Sequence, residues 1–326
     1  MPTASIIITT HNRHSLLPTA IKSAQAAGKE IEVVVVDDAS TDETEDICRQ
    51  TSNIRYVRIA RNQKVAGARN IGILASRGEY ITFLDDDDIR LAGTLDLQIE
   101  ALESRPTAGL IYAQALAADQ SGNLTGDFNP RRFPEGDVFW QLLCKNFIPC
   151  GTVVFRRSCL FRVGLLDQTV PGIDDWDLWI RTSALYDVMA LQQPVMVWRR
   201  STPWSGQGTS RADKIAVMAT HHFRRKWLKL PRAVAAPARE RREASRQFSN
   251  YMVNHLALET TRAFKYGSLR RAQKNIFAAF SLHFGGSIRA AISPSTFHSR
   301  FARAKQTLSA ASVEAEFMQA PHKAKR

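Results

Sequence analysis

Cysteine is scarce in this chain, and the cysteines present do not pair. Cys48, Cys144, Cys150 and Cys159 are the only four in 326 residues, with no CxxC motif and no histidine close by in sequence. That spacing offers neither a zinc site nor a disulfide framework, and it favours a reducing compartment. Long apolar runs are missing too. No window approaches the ~18 uncharged apolar residues of a membrane-spanning helix. The opening "MPTASIIITTHNR" lacks the basic start and long apolar stretch of a secretory signal. A cytoplasmic protein is expected, with peripheral attachment at the inner face of a membrane as a further expectation. Glycine-rich phosphate loops are absent as well: "NQKVAGARNIG" (62–72) does not have the GxxxxGK[ST] spacing.

What is present is an ordinary globular composition with an uneven charge. Hydrophobic residues make up 44% and charged residues 23%, enough to bury a core. The formal net charge is +13. Residues 211–326 carry 23 Lys and Arg against 6 Asp and Glu, whereas residues 1–210 carry 21 against 25. A mildly acidic first unit, 1–210, is therefore expected to be followed by a basic one, 211–326.

Apolar, β-branched runs alternate with helical spacing through the first hundred residues. "ASIIITT" (4–10), "IEVVVVDDAS" (31–40), "IRYVRIA" (54–60) and "YITFLD" (80–85) read as strands. Continuous Val and Ile without alternation suits parallel strands covered on both faces. "SLLPTAIKSAQAAG", "STDETEDICRQ" and "GARNIGILASRG" read as the intervening helices, with Ser40 or Thr41 as the cap of the second. The pattern predicts an α/β fold on a mostly parallel sheet. Further on, "AGLIYAQALAAD" and "CGTVVFRR" read as strands, and "DVMALQQPVMVWRR" as strand material interrupted by Pro194. "GDVFWQLLCKN" and "DDWDLWIRTSAL" read as helices. The basic region reads as helices over 211–230, 238–266 and 268–284, the last with an apolar stripe at Leu269, Ala272, Ile276 and Phe280.

Ligands of open α/β sheets sit at the carboxyl ends of the strands. After the first strand come Thr9, Thr10, His11 and Asn12; after the second, Asp37 and Asp38; after the fourth, the run Asp85–Asp88. Each cluster alone would pass for a turn or a helix cap. Together they point to one polar edge. Four adjacent carboxylates repel one another unless a cation neutralises them, and hard divalent ions such as Mg²⁺ or Mn²⁺ prefer such oxygens. Arg69, near the start of a helix, is placed to meet a phosphate. In "PGIDDWDLWIRTS", Asp174 and Asp175 stand at the mouth of a helix backed by Trp176 and Trp179. They read either as simple caps or as a carboxylate whose apolar setting raises its pKa and suits it to proton abstraction.

These stretches, in this order, resemble the family 2 glycosyltransferases, inverting enzymes of the GT-A fold. "SIIITTHNR" is similar to the family's opening strand, "EVVVVDDASTDET" to its second, "VAGARNIGILASRGEYITFLDDDD" to its Ala-Arg-Asn helix and D-x-D, and "GIDDWDLWIRTS" to its E-D-W-D-L-W helix. The resemblance covers residues 4 to about 200. It implies a Rossmann-like, mostly parallel central sheet flanked by helices, here with a C-terminal helical extension. It implies a nucleoside-diphosphate sugar as donor, a UDP-sugar favoured. The acceptor would be a hydroxyl of a glycan or lipid-linked molecule, in surface polysaccharide or glycolipid biosynthesis. Thr9, His11 and Asn12 would line the nucleotide pocket, Asp38 would accept from the base, and Arg69 would lie by the diphosphate. Asp85 and Asp86 would also contact the donor, Asp87 with Asp85 would hold the metal, and Asp175 would be the catalytic base. Thr9 replaces a common proline, Ala39 a glycine and Asp174 a glutamate. The histidine that many relatives carry after the last strand is missing from "WRRSTPWSGQGTSR", where Arg199, Arg200 or Ser205 would instead face the phosphates.

The resemblance ends near residue 210. The charge and aromatics of "HHFRRKWLKL" (221–230) suit an anionic membrane surface; a packing module or homodimer contact is the alternative. No nucleic-acid module is visible, and the last dozen or so residues are expected to be disordered. The rival functions are a sugar nucleotidyltransferase, whose first loop would be glycine-rich, and a non-catalytic scaffold.

Overall fold

The computed structural model describes residues 2–199, 211–265 and 267–284. The chain divides into two compact units, Met1–Ser210 and Arg211–Arg326.

In the first unit, β1 (Ala4–Thr10), α1 (Leu17–Gln25), β2 (Ile31–Asp37), α2 (Thr44–Gln50), β3 (Ile54–Arg58), α3 (Lys64–Ala75) and β4 (Tyr80–Asp85) alternate. β1 pairs in parallel with both β2 and β4, and β2 with β3. The rest is β5 (Ile89–Arg90), α4 (Thr94–Glu103), β6 (Ala108–Ala118), β7 (Leu124–Asn129), α5 (Phe139–Cys144), β8 (Val154–Arg156), α6 (Arg157–Val163), α7 (Asp174–Ser183) and β9 (Asp187–Arg199). The strands form one sheet in the order β3-β2-β1-β4-β8-β6-β9-β5, with β7 added to β6.

The central strands are buried on both faces, as their unbroken apolar runs require. Ile6, Ile8, Val33 and Val35 pack with Leu17, Ala20 and Ile21 of α1 and Leu95 and Leu102 of α4. On the other face α3 lies so close that a β-carbon at Gly72 would collide with Ile7 and come within 3.1 Å of Val36. Only glycine allows that approach. β9 keeps its parallel pairing with β6 around Pro194 by shifting register on either side of it, which absorbs the missing backbone donor.

Sequence and structure differ in places. β5, β7 and β8 are antiparallel additions. β7, with no buried residue, carries no apolar pattern by which it could be read. Neither Ser40 nor Thr41 caps α2, which begins later, at Thr44. Ser40 is engaged elsewhere, and Asp42 accepts from the Thr44 N–H at 3.1 Å.

The second unit comprises α8 (Ala212–Arg225), a 3₁₀ turn (Trp227–Lys229), α9 (Pro231–Ala235), α10 (Ala238–Lys265) and α11 (Leu269–Phe284). Its core corrects the reading of 221–230 as a surface aromatic patch. Phe223 and Trp227 are buried, the Phe223 ring stacking on Phe248 at 4.2 Å. The stripe expected on α11 is also turned: Ala272, Asn275 and Ala278 face inward, while Leu269 and Ile276 are exposed. Among the described residues no helix is long and apolar enough to cross a membrane.

Candidate active site

The register of the parallel strands builds the site. Thr9 lies opposite Asp85 and Thr10 opposite Asp37, so the polar ends of β1, β2 and β4 share one edge. The loops beyond them are laced together. The His11 Nδ1–H donates to the Asp38 carbonyl at 2.7 Å. Asn12, at φ +54°, donates its N–H to Ser40 Oγ at 3.0 Å and accepts from the Thr41 N–H at 2.7 Å.

The two aspartates after β2 have different surroundings. Asp37 is fully buried and saturated by Tyr56 Oη–H at 2.7 Å and the Ser40 N–H at 2.8 Å, so it holds the scaffold. Asp38 accepts the Gln63 N–H on Oδ1 at 2.6 Å; its Oδ2 has no hydrogen bond among the described residues.

The aspartate run also divides. Asp85, Asp87 and Asp88 each offer an oxygen, all within 4.8 Å of one another. Neighbouring oxygens around a Mg²⁺-sized ion stand ~3 Å apart and opposite ones ~4.2 Å, so these carboxylates would draw in to share one. Three hard oxygen donors, two of them buried, fit a divalent cation. Asp86 lies instead against Arg13, whose Nη1 is 2.5 Å from it and 3.4 Å from Asp87. Burial pushes the Asp86 carboxyl up to about 7, against the opposing pull of Arg13. Asp88 is pushed well up by burial and by its aspartate neighbours, although it accepts the Arg199 N–H at 2.9 Å. Arg199 thus meets the site through its backbone. Arg200 and Ser205, the other residues expected to face phosphates, lie outside the described residues.

Arg69 is the hub. Its guanidinium is buried, donates to Asp85 at 2.7 Å, stands 3.7 Å from Asp174 and lies over the Phe83 ring. Burial opposes its charge, yet Cys150 and the acids Asp85, Asp174 and Asp175 together raise its pKa. The next residue, Asn70, holds the loop before α7 by a pair of 2.9 Å bonds to the Leu166 backbone. α3 thereby fixes both Arg69 and the approach to the acid pair.

Asp174 and Asp175 occupy the first turn of α7, and neither caps it: the cap position is Ile173, without a side-chain bond. Asp174 Oδ1 accepts the Gly172 N–H, whereas Oδ2 is buried with no hydrogen-bond partner. Burial and the neighbouring Asp174 push Asp175 up to about 7, against Arg69. A carboxylate with that pKa is suited to take a proton near neutrality.

Sequence reasoning gave Arg13 and Cys150 no role, and Asp88 only a share in the aspartate run. Arg13 and Asp88 stand within recognisable motifs, but their partners are remote in the chain. Cys150 carried no signal; its thiol is pushed well up by burial and shares electrostatic surroundings with Arg69 and Asp175.

A sheet of this order, with acidic clusters at one edge and an acid pair across a buried arginine, is that of the GT-A fold. Residues 5–161 match the family model for glycosyl transferase family 2, and the chain belongs to that family. It is 31% identical over 186 residues to the Escherichia coli UDP-Glc:alpha-D-GlcNAc-diphosphoundecaprenol beta-1,3-glucosyltransferase WfaP, covering 55% of this chain and 70% of that one. It is 30% identical to an uncharacterized glycosyltransferase of Rickettsia bellii over 55% of this chain, but spans only 26% of that protein's length. The fold matches the mannosyltransferase PcManGT of Pyrobaculum calidifontis, solved with GDP-Man and Mn²⁺, at a TM-score of 0.55 and 19% identity, covering 98% of this chain and 88% of that one.

Proposed function

We propose that the chain transfers a sugar, with inversion, from a nucleoside-diphosphate sugar to a hydroxyl of a glycan or lipid-linked acceptor. The observation that carries this is Arg69, which joins the acids at the end of β4 to the acid pair of α7 through one buried guanidinium. Donor phosphates and acceptor hydroxyl would meet on either side of it.

Thr9, His11 and Asn12 would border the nucleotide, and the unpaired Oδ2 of Asp38 would accept from the base. Asp85, Asp87 and Asp88 would hold a Mg²⁺ or Mn²⁺ ion, which when bound supplies positive charge to the departing diphosphate oxygens. Asp175 takes the proton of the acceptor hydroxyl as its oxygen bonds to the anomeric carbon from the opposite face. The bond to the diphosphate breaks, and its electron pair leaves with the nucleoside diphosphate. Arg69 stabilises charge developing on that side. The similarity to a glucosyltransferase named for UDP-Glc and a diphosphoundecaprenol acceptor supports a UDP-sugar donor and a lipid-linked acceptor; the reaction would then take place at the inner face of a membrane.

Calorimetric titration of UDP, GDP, ADP and TDP, each with and without Mn²⁺, tests this. Metal-enhanced binding of one nucleotide, lost in Asp87→Ala, is the expected result. If none of them binds, the non-catalytic scaffold becomes the better reading.

A further inference from the structure

The second unit carries a surface that its own helices leave open. Lys214, Val217, Met218 and His221 recur at i, i+3, i+4 and i+7 along α8, and Arg270, Lys274, Phe277 and Ser281 at i, i+4, i+7 and i+11 along α11. The two stripes face one another across a groove of about 780 Å³. Two of its apolar side chains are bare: Phe277 is 76% and Val217 47% exposed. Lys214, Arg270 and Lys274 flank them, and among the described residues none has an acidic group within ion-pair distance. The groove's one acid, Asp213, is held by Arg211 at 2.5 Å.

We infer that this groove is the surface by which the protein docks on an anionic lipid bilayer, with Phe277 and Val217 entering the headgroup layer and Lys214, Arg270 and Lys274 pairing with lipid phosphates. Charge selects the occupant. Residues 285–326 hold seven Lys and Arg against two Glu, so the chain's own end would bring more positive charge onto a positive rim. A second copy of the face would do the same. An acidic surface satisfies the rim, and bare aromatic and aliphatic tips beside basic side chains are the pattern of interfacial helices. Each basic side chain near an anionic surface contributes about a fivefold gain in partitioning. The inference gives the lipid-linked acceptor of the proposed reaction a meeting place, and it rests on that reading for its purpose only.

The test is sedimentation of the full chain with phosphatidylcholine vesicles, with or without 30% phosphatidylglycerol as the anionic lipid, and with no donor or acceptor present. A failed transferase reading would therefore leave the result unaffected. The expected result is partitioning onto the anionic vesicles alone, reduced by roughly 25-fold in Arg270→Gln/Lys274→Gln, by the per-charge gain above, and reduced also in Phe277→Ser. All three substituted side chains lie at the groove's open face, and circular dichroism would verify that the variants fold. Equal binding to neutral vesicles, or undiminished binding by both variants, overturns the inference. So does a dimer in analytical ultracentrifugation that Phe277→Ser converts to monomer, which would assign the face to a second copy.

Discussion

Arg13 holds Asp86 at 2.5 Å and reaches to within 3.4 Å of Asp87. One guanidinium therefore neutralises part of the aspartate run from the β1 side, while Arg69 holds Asp85 from α3 at 2.7 Å. The run is tolerated because its members part company: Asp86 turns to a fixed cation, and Asp85, Asp87 and Asp88 converge where a soluble one fits. Removing one partner of a buried pair leaves the other uncompensated, at a cost of about 3–5 kcal/mol. Arg13 is partly exposed and Asp86 can take up a proton, so Arg13→Gln is expected to lose about 2–3 kcal/mol on the same basis. Urea unfolding in metal-free buffer measures it. Arg13→Gln/Asp86→Asn should recover at least half of that loss. A double variant no more stable than the single one would show that the pair is not what Arg13 contributes.

The same burial sets a pH dependence. Asp86 and Asp175 are each pushed up to about 7 in the fold, and Asp88 is raised as well. In the unfolded chain these carboxyls lose their protons near pH 4. Between about pH 4 and 7 the folded state thus binds more protons than the unfolded one, and stability falls as pH rises across that window. Mn²⁺ held by Asp85, Asp87 and Asp88 would favour the ionised carboxylates of the folded chain and offset that loss. The metal-free Tm should drop between pH 5.5 and 7.5, and saturating Mn²⁺ should raise it more at 7.5 than at 5.5. A metal shift independent of pH would contradict this.

Much of this site was legible because β1, β2 and β4 announce themselves. Their Val and Ile runs are continuous, and a parallel sheet brings the residues at their carboxyl ends to one edge. The convergence of Thr9, Asp38 and Asp85 comes from that alone. The division of labour within the clusters was not legible. Asp37 and Asp38 are identical in sequence terms, and only their partners on later elements, Tyr56 for one and Gln63 for the other, tell them apart. Asp88 depends on Arg199, far along the chain. In the second unit the charge misled. Phe223 and Trp227, at i and i+4, have the spacing of a buried face, but the surrounding basic residues suggested a surface; Arg224, Arg225 and Lys226 are exposed, while both rings pack against Phe248, one stacked and one edge-on.

Asp175→Asn tests the proton-transfer step. The amide keeps the shape and can still accept the Trp176 N–H, so nucleotide binding should change little. A positioned general base contributes about 10²–10⁴-fold to rate, and turnover should fall by that factor. In the unsubstituted chain the rate should drop tenfold per pH unit below about 7, where Asp175 takes up its proton. Turnover of the variant near that of the parent would remove Asp175 from the step. Initial rates from pH 5.5 to 8.5, with nucleotide affinity measured in parallel, separate the two effects.

Ala39 offers a test of backbone strain beside the polar edge of the sheet. It sits at φ +62°, in the left-handed region, between Asp38 and the buried Ser40 that receives the Asn12 N–H. A side chain there costs about 1–2 kcal/mol relative to the right-handed backbone. Glycine would relieve it, while giving back roughly 0.4–1 kcal/mol through greater freedom of the unfolded chain. Ala39→Gly is therefore expected to stabilise the first unit by about 0.5 kcal/mol, a Tm rise of about 1–2 °C for a unit of this size. Ala39→Val, β-branched at the same angle, should lower Tm, because its Cβ substituents crowd the flanking carbonyls. Differential scanning calorimetry of the three proteins decides it. A glycine variant that melts below the parent would mean that the loop between β2 and α2 is not strained at this residue, and that alanine is held there by its contacts.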